Sequence, residues 1–480
     1  MFGLSIGLSV LLVLCILCVC AFEFINGFHD TANAVATVIY TKSLKPWRAV
    51  MLSGVLNGLG VFMGGTAVAM GIINMLPVET LVDQNITHSL GMVGAILLTA
   101  IIWNLGTWLL AIPASSSHTL VGAILGVGIA YSLLPGTGDA AVNWHKASEV
   151  GLSLLCSPLF GFVLAMILMS LMARIFLRRP ELFKAPEGDT PPWWIRATLI
   201  ATCGLVSFSH GSNDGQKGIG LMMLILIGIV PAKFSLNDRY GDREIADSLA
   251  QVQIVFDAAS REITDAKSQS ILQAAAVPLA ELNSLTRELG DTSRKGNHRF
   301  EIRKNILLFR NQVTKLYGDS TAEQRPSAQA ASAQTVAHHA ALVQSLVASA
   351  TSLRRFTDYA PLWVIFLIAL SLGVGTMIGW ERIVVTIGEK IGKTHLTYAQ
   401  GASAEIVAAS TIAASTYLGL PVSTTHVLSS GIAGAMFSSG GLSNLDKGMI
   451  QKILLAWVLT FPVCVTLSGT LFLMFRSVFD

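Results

Sequence analysis

Two aspartates, Asp30 and Asp214, stand in similar polar motifs within otherwise apolar sequence. The first motif is Asn26-Gly27-Phe28-His29-Asp30-Thr31-Ala32-Asn33; the second is His210-Gly211-Ser212-Asn213-Asp214-Gly215-Gln216-Lys217. An ionised Asp at mid-membrane costs ~2.5–3.5 kcal/mol even on lenient insertion scales, so a duplicated one reads first as functional. The plainer alternative is an acid that only ties helices together, as Asp214 could by pairing with Lys217 three residues on.

Two hydroxyl-rich motifs are duplicated as well. Pro113-Ala114-Ser115-Ser116-Ser117-His118-Thr119-Leu120 matches Pro421-Val422-Ser423-Thr424-Thr425-His426-Val427-Leu428. In each, Pro ends the incoming segment and the hydroxyls can cap the helix that follows. Free N–H groups and partial positive charge at a helix N-terminus bind phosphate-like anions without a basic side chain. Capping alone is the bland reading of one such triplet; its recurrence argues for more.

An oxyanion beside two carboxylates is repelled, strongly so in low dielectric, unless protons or metal cations intervene. The motifs therefore predict joint binding of an anion and a cation, which is symport. The candidate substrate site comprises Asp30, Asn33, Ser115, Ser116, Ser117, Asn213, Asp214, Gln216, Lys217, Ser423, Thr424 and Thr425. Asn33, Asn213 and Gln216 would give neutral hydrogen bonds and Lys217 a point charge. Cation or proton coupling is assigned to Asp30, Asp214, Glu23, His118 and His426, with Glu405 as a second-half candidate. For each histidine a structural hydrogen bond is the simpler role, although imidazole titrates near neutrality. No resident metal centre and no cofactor is expected. A Ser117–His118 hydrolase is disfavoured, because adjacent helical residues diverge by about 100°.

The elements that must position these residues follow from composition. Of 480 residues, 52% are hydrophobic and only 13% charged, against about 25% charged in soluble domains; mean hydropathy is +0.61. The block 233–357 holds 16 of the 32 Lys+Arg and 13 of the 29 Asp+Glu. The remainder reads as apolar runs long enough to cross a ~30 Å hydrocarbon core. Net charge +3 is too small to suggest a nucleic-acid partner. The six cysteines lie in apolar stretches, so no disulfide framework is expected. The first run lacks a basic n-region and reads as a retained span.

The runs are 4–41, 49–75, 90–112, 118–134, 149–176, 193–231, 361–380, 398–418, 421–437 and 448–474. Two of them, 4–41 and 193–231, are nearly twice a normal span and carry the aspartate motifs, so each is expected to be a broken helix. Asp30 and His118 are 88 residues apart, Asp214 and His426 are 212, and the excess matches the charged block. The expected architecture is an all-α polytopic membrane protein made of two inverted-topology repeats with broken helices and re-entrant hairpins. Its parts are 1–192, the first repeat; 193–232 and 358–480, the second; and 233–357, a soluble helical insert. Glycines at Gly64-Gly65, Gly126 and Gly218 read as close helix contacts.

Basic residues in short loops set orientation. Lys42, Lys45, Arg48, Arg174, Arg178, Arg179, Lys184, Arg196, Arg382, Lys390, Lys393, Lys447 and Lys452 fall on one side, against Lys146 and Arg476 on the other. This assigns the first set to the cytoplasm, and both termini and the insert to the opposite side, provided 113–118 and 421–425 turn back within the membrane.

At these four motifs the chain resembles the Pit family of inorganic phosphate transporters, most closely its bacterial low-affinity type. The family signature Gly-Ala-Asn-Asp-Val-Ala-Asn and a Pro-x-Ser-Thr-Thr-His element occur once per half. The resemblance covers 1–231 and 358–480. It implies phosphate uptake across the bacterial inner membrane, as phosphate alone or as a neutral divalent-metal complex, with no enzymatic reaction. His29 departs from the signature, as does Gln216-Lys217; an ammonium at Lys217 standing in place of sodium favours protons as the coupling ion. Sodium coupling, another tetrahedral oxyanion such as sulfate or arsenate, and a phosphate-sensing receptor are the competing readings. A homodimer is left open.

Overall fold

In the computed structural model of the chain, the residues described are 2–75, 86–134, 142–186, 190–287, 295–321 and 333–479. Among them there is no β-strand, only one isolated bridge between Gly392 and Leu445. The helices are α1 Ile6–Tyr40, α2 Pro46–Met63, α3 Ala67–Ile73, α4 Ile86–Leu109, α5 Ser116–Ser132, α6 Trp144–Ile175 and α7 Trp193–Ile229. There follow α8 Asp242–Glu262, α9 Ala266–Arg287, α10 Lys295–Thr321 and α11 Ala333–Ser352. The last five are α12 Leu362–Thr376, α13 Glu381–Glu389, α14 Tyr398–Tyr417, α15 Thr424–Gly440 and α16 Lys447–Phe479.

The chain divides into two compact units, 4–225 with 360–480, and 226–359 with 1–3. In the first, Ile6–Tyr40, Leu90–Leu109, Trp144–Ile175 and Lys447–Val478 are each long and apolar enough to cross a membrane. Their outer faces are apolar: Leu155, Leu159, Ile167, Leu171, Leu455 and Val458 are exposed on α6 and α16. The polar residues lie inside instead, among them Asp30, Asp214, Lys217 and Glu405. An apolar exterior around a polar interior is the arrangement lipid demands.

The long helices α1 and α7 correct the expectation of breaks at the aspartate motifs, since each is one continuous helix. Several motif residues find partners through their side chains while the helices continue; Thr31 Oγ1, for instance, bonds back to Gly27 O and reaches Thr376 O of α12. The break occurs instead between α2 and α3, which are bent by 74°. There Gly65 has φ +74°, which L side chains rarely adopt. Orphaned backbone groups at this break are bonded by one side chain, Gln216. Its amide nitrogen donates to Gly64 O at 2.7 Å, and its Oε1 accepts from Val68 N at 2.7 Å and Ala69 N at 3.3 Å.

Helices α1 and α7 run antiparallel. Glu23 lies against Gly218, Asp30 near His210, and Ser43 O accepts from Arg196 Nε, so numbers rise on one as they fall on the other. Close crossings recur at matching motif positions. A Cβ at Gly27 of α1 would strike the α12 backbone at Leu372, and one at Gly211 of α7 would strike α2 at Asn57. Gly126 of α5 meets Val465 of α16, and Gly434 of α15 meets Phe162 of α6, leaving no room for larger residues.

The turns before α5 and α15 also share one construction. Ala111 (φ +55°) and Gly419 (φ +70°) adopt the left-handed conformation. The next amides, Ile112 N and Leu420 N, bond five residues back to Thr107 O (3.0 Å) and Ser415 O (2.9 Å), as in a Schellman C-cap. New helices then start on N-caps: Ser115 Oγ accepts from His118 N (3.2 Å) and Ser423 Oγ from His426 N (3.1 Å). Both helices are sheathed by protein, α5 being buried from Ser116 to Gly128 and α15 from Thr424 to Met436.

The second unit is built from α8–α11, whose inward residues Leu249, Val252, Leu279, Ile306, Phe309 and Leu346 form its core. Helix α8 ends and α9 begins across 263–265, where Asp265 Oδ1 caps the second by accepting from Ser268 N. Helix α11 is built from Ala- and Ser-rich sequence, Ala333–Ser352. At the base of this unit the buried Arg303 donates to Ser235 O (3.1 Å) and Thr357 O (2.7 Å), joining the chain's entry to its exit. Burial pushes this guanidinium below its ordinary value. All six cysteines are free thiols.

Candidate functional site

Asp30 on α1 and Asp214 on α7 converge, because the two helices cross at their motifs. Between them stands Ser116, first residue of α5. Its Oγ is 3.2 Å from Asp30 Oδ2 and 3.4 Å from Asp214 Oδ2, so one hydroxyl proton serves two carboxylates. Thr425, in the first turn of α15, donates to Asp30 Oδ1 at 2.6 Å. Both hydroxyl-bearing helix starts thus abut the acid pair, which brings N-terminal partial positive charge to it.

Lys217 supplies the full positive charge. Its Nζ is 2.5 Å from Asp214 Oδ2 and donates to Ser116 Oγ at 3.0 Å. The Asp214–Lys217 pair weighed above as a purely structural contact does form, but it forms within the cluster. All three groups are buried. At such sites an ion pair is tolerated because each charge keeps its partner. Two carboxylates face one ammonium, so the cluster carries an excess negative charge unless a histidine is protonated or a cation joins it.

Two histidines complete the cluster. His210 Nε2 is 3.4 Å from Asp214 Oδ2 and 3.7 Å from Asp30 Oδ2, while its Nδ1 sits 2.8 Å from Asn57 Oδ1. His29 Nδ1 lies 3.3 Å from Asp30 Oδ1, and its Nε2 3.3 Å from Thr107 Oγ1. Neither was among the residues assigned from sequence. The signal was present for His210, four residues before Asp214 and so on the same helix face. Asn57 and Thr107 gave none. Asp30, His210 and Asp214 offer three ligand atoms within 4.8 Å of one another, enough to hold a metal ion.

Other assigned residues lie elsewhere. Ser117 Oγ donates to Val422 O at 2.6 Å, tying the two hydroxyl motifs together. Asn213 does the same work on the α14–α15 turn: it donates to Thr416 Oγ1 and Leu420 O and accepts from Val422 N. Gln216 is committed to the α2–α3 break. Ser115 and Ser423 are N-caps; Thr424 is buried beside them. The rings of His118 and His426 pack together at a tilt of 38° and do not bond the carboxylates. Glu23 is buried, with neither oxygen in a hydrogen bond. The side chain of Asn33 lies outside the described residues.

An all-helical body with an apolar exterior, enclosing acids, hydroxyls and helix starts, defines a multi-pass membrane protein with a buried polar centre. Residues 26–468 match the model of the "Phosphate transporter family". The chain is 41% identical to the low-affinity inorganic phosphate transporter PitA of Escherichia coli strain K12, over 98% of this chain and 97% of that one. It is 40% identical to PitB of the same strain, with the same coverage. A probable low-affinity inorganic phosphate transporter of Bacillus subtilis is 29% identical, over 98% and 99%. Among solved structures, one titled "The sodium-dependent phosphate transporter" matches in fold with a TM-score of 0.53 at 19% identity, covering 98% and 99%. This chain belongs to the phosphate transporter family, and its relatives are transporters, not enzymes.

Proposed function

We propose that this chain imports inorganic phosphate as a secondary symporter driven by protons, with the anion received where α5 and α15 begin and the cation charge received by Asp30 and Asp214. The observation that carries the reading is the position of Ser116 Oγ, within 3.4 Å of both carboxylates at a helix N-terminus. Anion-type and cation-type groups therefore share one cluster. Lys217 supports protons over sodium, since its ammonium already occupies the space beside Asp214. Ser115, Ser117, Ser423, Thr424, Asn213 and Gln216 hold the frame of this site, and Asn33 belongs to it by motif.

The two halves act as inverted repeats in this proposal, with 113–118 and 421–425 as re-entrant tips. Antiparallel α1 and α7 and the recurring glycine crossings support that reading. The protein sits in the bacterial inner membrane with both termini and the 233–357 insert on the periplasmic side, as the loop charges favour. Uptake of labelled phosphate into proteoliposomes provides the test. Accumulation should follow an inward pH gradient and ignore sodium; a response to sodium alone would overturn proton coupling.

A second reading concerns the cargo. The ligand geometry of Asp30, His210 and Asp214 suits a divalent cation entering together with phosphate as a neutral complex. Radiolabelled metal should then enter in step with phosphate, and chelation should stop both.

A further inference from the structure

Away from the central cluster lies a second buried carboxyl. Glu405 on α14 is fully buried, and among the described residues no Lys, Arg or His pairs with it. Thr202 Oγ1 of α7 bonds its Oε2, and Thr202 also reaches Leu199 O at 3.1 Å. Oε1 has no hydrogen-bond partner. Thr37 of α1 packs against Gly401, one turn before Glu405, and its hydroxyl bears on the carboxyl without forming a full hydrogen bond. The neighbouring titratable group is the buried Cys203 thiol on α7. The other packing of α14, against α3, α6, α15 and the turn at Leu182, is largely apolar, with Gln400 donating to Ser439 Oγ and Ser403 to Met172 Sδ.

The location is not arbitrary. Glu23, Asp30 and Thr37 are seven residues apart on α1, two turns each, so they share one face at steps of about 10.5 Å. Glu23 meets α7 at Gly218, Asp30 meets it at His210, and Thr37 shares Glu405 with Thr202. The seam between α1 and α7 therefore carries an acid at the centre and one about two turns to either side.

A bare carboxylate buried without a cation costs several kcal/mol, while a protonated one needs only hydrogen-bond partners. Two hydroxyls and two carboxyl oxygens suit a proton better than a metal ion, which takes more oxygen ligands. We propose that Glu405, flanked by Thr37 and Thr202, is a proton-binding site distinct from the Asp30–Asp214 cluster, and that transport loads and releases one proton there. The step is Glu405 carboxylate plus H⁺ to carboxylic acid, and its reverse. This inference rests on proton-coupled symport.

The test is Glu405→Gln in proteoliposomes, with Glu405→Asp as the conservative variant. Glutamine mimics the acid form and cannot release a proton. Phosphate–phosphate exchange at equal pH should persist in Glu405→Gln. Net accumulation should fall about tenfold for each unit of imposed pH gradient, the work of one lost proton, and the proton-to-phosphate ratio read by a pH dye should drop by one. Glu405→Asp should restore part of both. An unchanged ratio in Glu405→Gln overturns the site. So does loss of exchange that Glu405→Asp does not restore, which marks a packing residue. A wild type indifferent to pH gradients would overturn the coupling reading itself, seen before any variant is made.

Discussion

His118 and His426, the histidines of the two hydroxyl motifs, lie in contact with ring centroids 4.5 Å apart and planes tilted by 38°. Residues 308 positions apart in sequence thus form one contact between the starts of α5 and α15. Trp457 of α16 stacks on the other side of the contact, its ring 3.9 Å from that of His426. His118 Nδ1 is held by Ser115 Oγ at 2.9 Å, so the rings clamp the helix starts that reach the carboxylates.

That contact should be measurable. Aromatic pairs at this centroid separation contribute about 0.5–1.5 kcal/mol beyond their buried area. A double-mutant cycle with His118→Ala and His426→Ala, followed by thermal unfolding in detergent, should give a coupling of that size. Additive single effects would mean that the rings only adjoin.

The two aspartates should differ in stability yet agree in function. Asp214→Asn strands Lys217 as a buried charge without its partner, at a cost of about 3–5 kcal/mol. Asp30→Asn leaves no such charge and should cost about 1–3 kcal/mol through weakened hydrogen bonds. Both should lose concentrative phosphate uptake. Asp214→Asn combined with Lys217→Met should recover melting temperature without uptake. If either single variant concentrates phosphate normally, the site is misassigned.

Gln216 was expected on the substrate, and its geometry puts it on the α2–α3 break. Gln216→Ala leaves buried backbone groups unpaired, at about 1–3 kcal/mol each. The expected result is a lower melting temperature, with phosphate KM changed little in the folded fraction. A large rise in KM with stability intact would return Gln216 to the anion.

Ala111 holds the left-handed position that Gly419 holds in the other turn. An L residue there costs about 1–2 kcal/mol, and glycine gives back about 0.5–1 kcal/mol in unfolded-state entropy. Ala111→Gly should therefore stabilise the protein by up to about 1 kcal/mol without altering transport. Calorimetry on the purified protein would show it; a drop in stability would mean that the alanine methyl packs usefully.

Local pattern settled much of this protein in advance. Apolar run length set the spanning helices, since a hydrocarbon core admits little else. Pro followed by Ser set the starts of α5 and α15, because the cap bond joins residues three apart. The duplicated motifs pointed to the acid pair. Tertiary structure decided what depends on residues distant in the chain. It kept α1 and α7 continuous through their polar motifs, and it put the break where Gln216, some 150 residues on, could satisfy it. It brought His210, held by Asn57, to the carboxylates, and Thr202 to Glu405. Spacing along one helix fixes which residues share a face; only packing determines which face of another helix they meet.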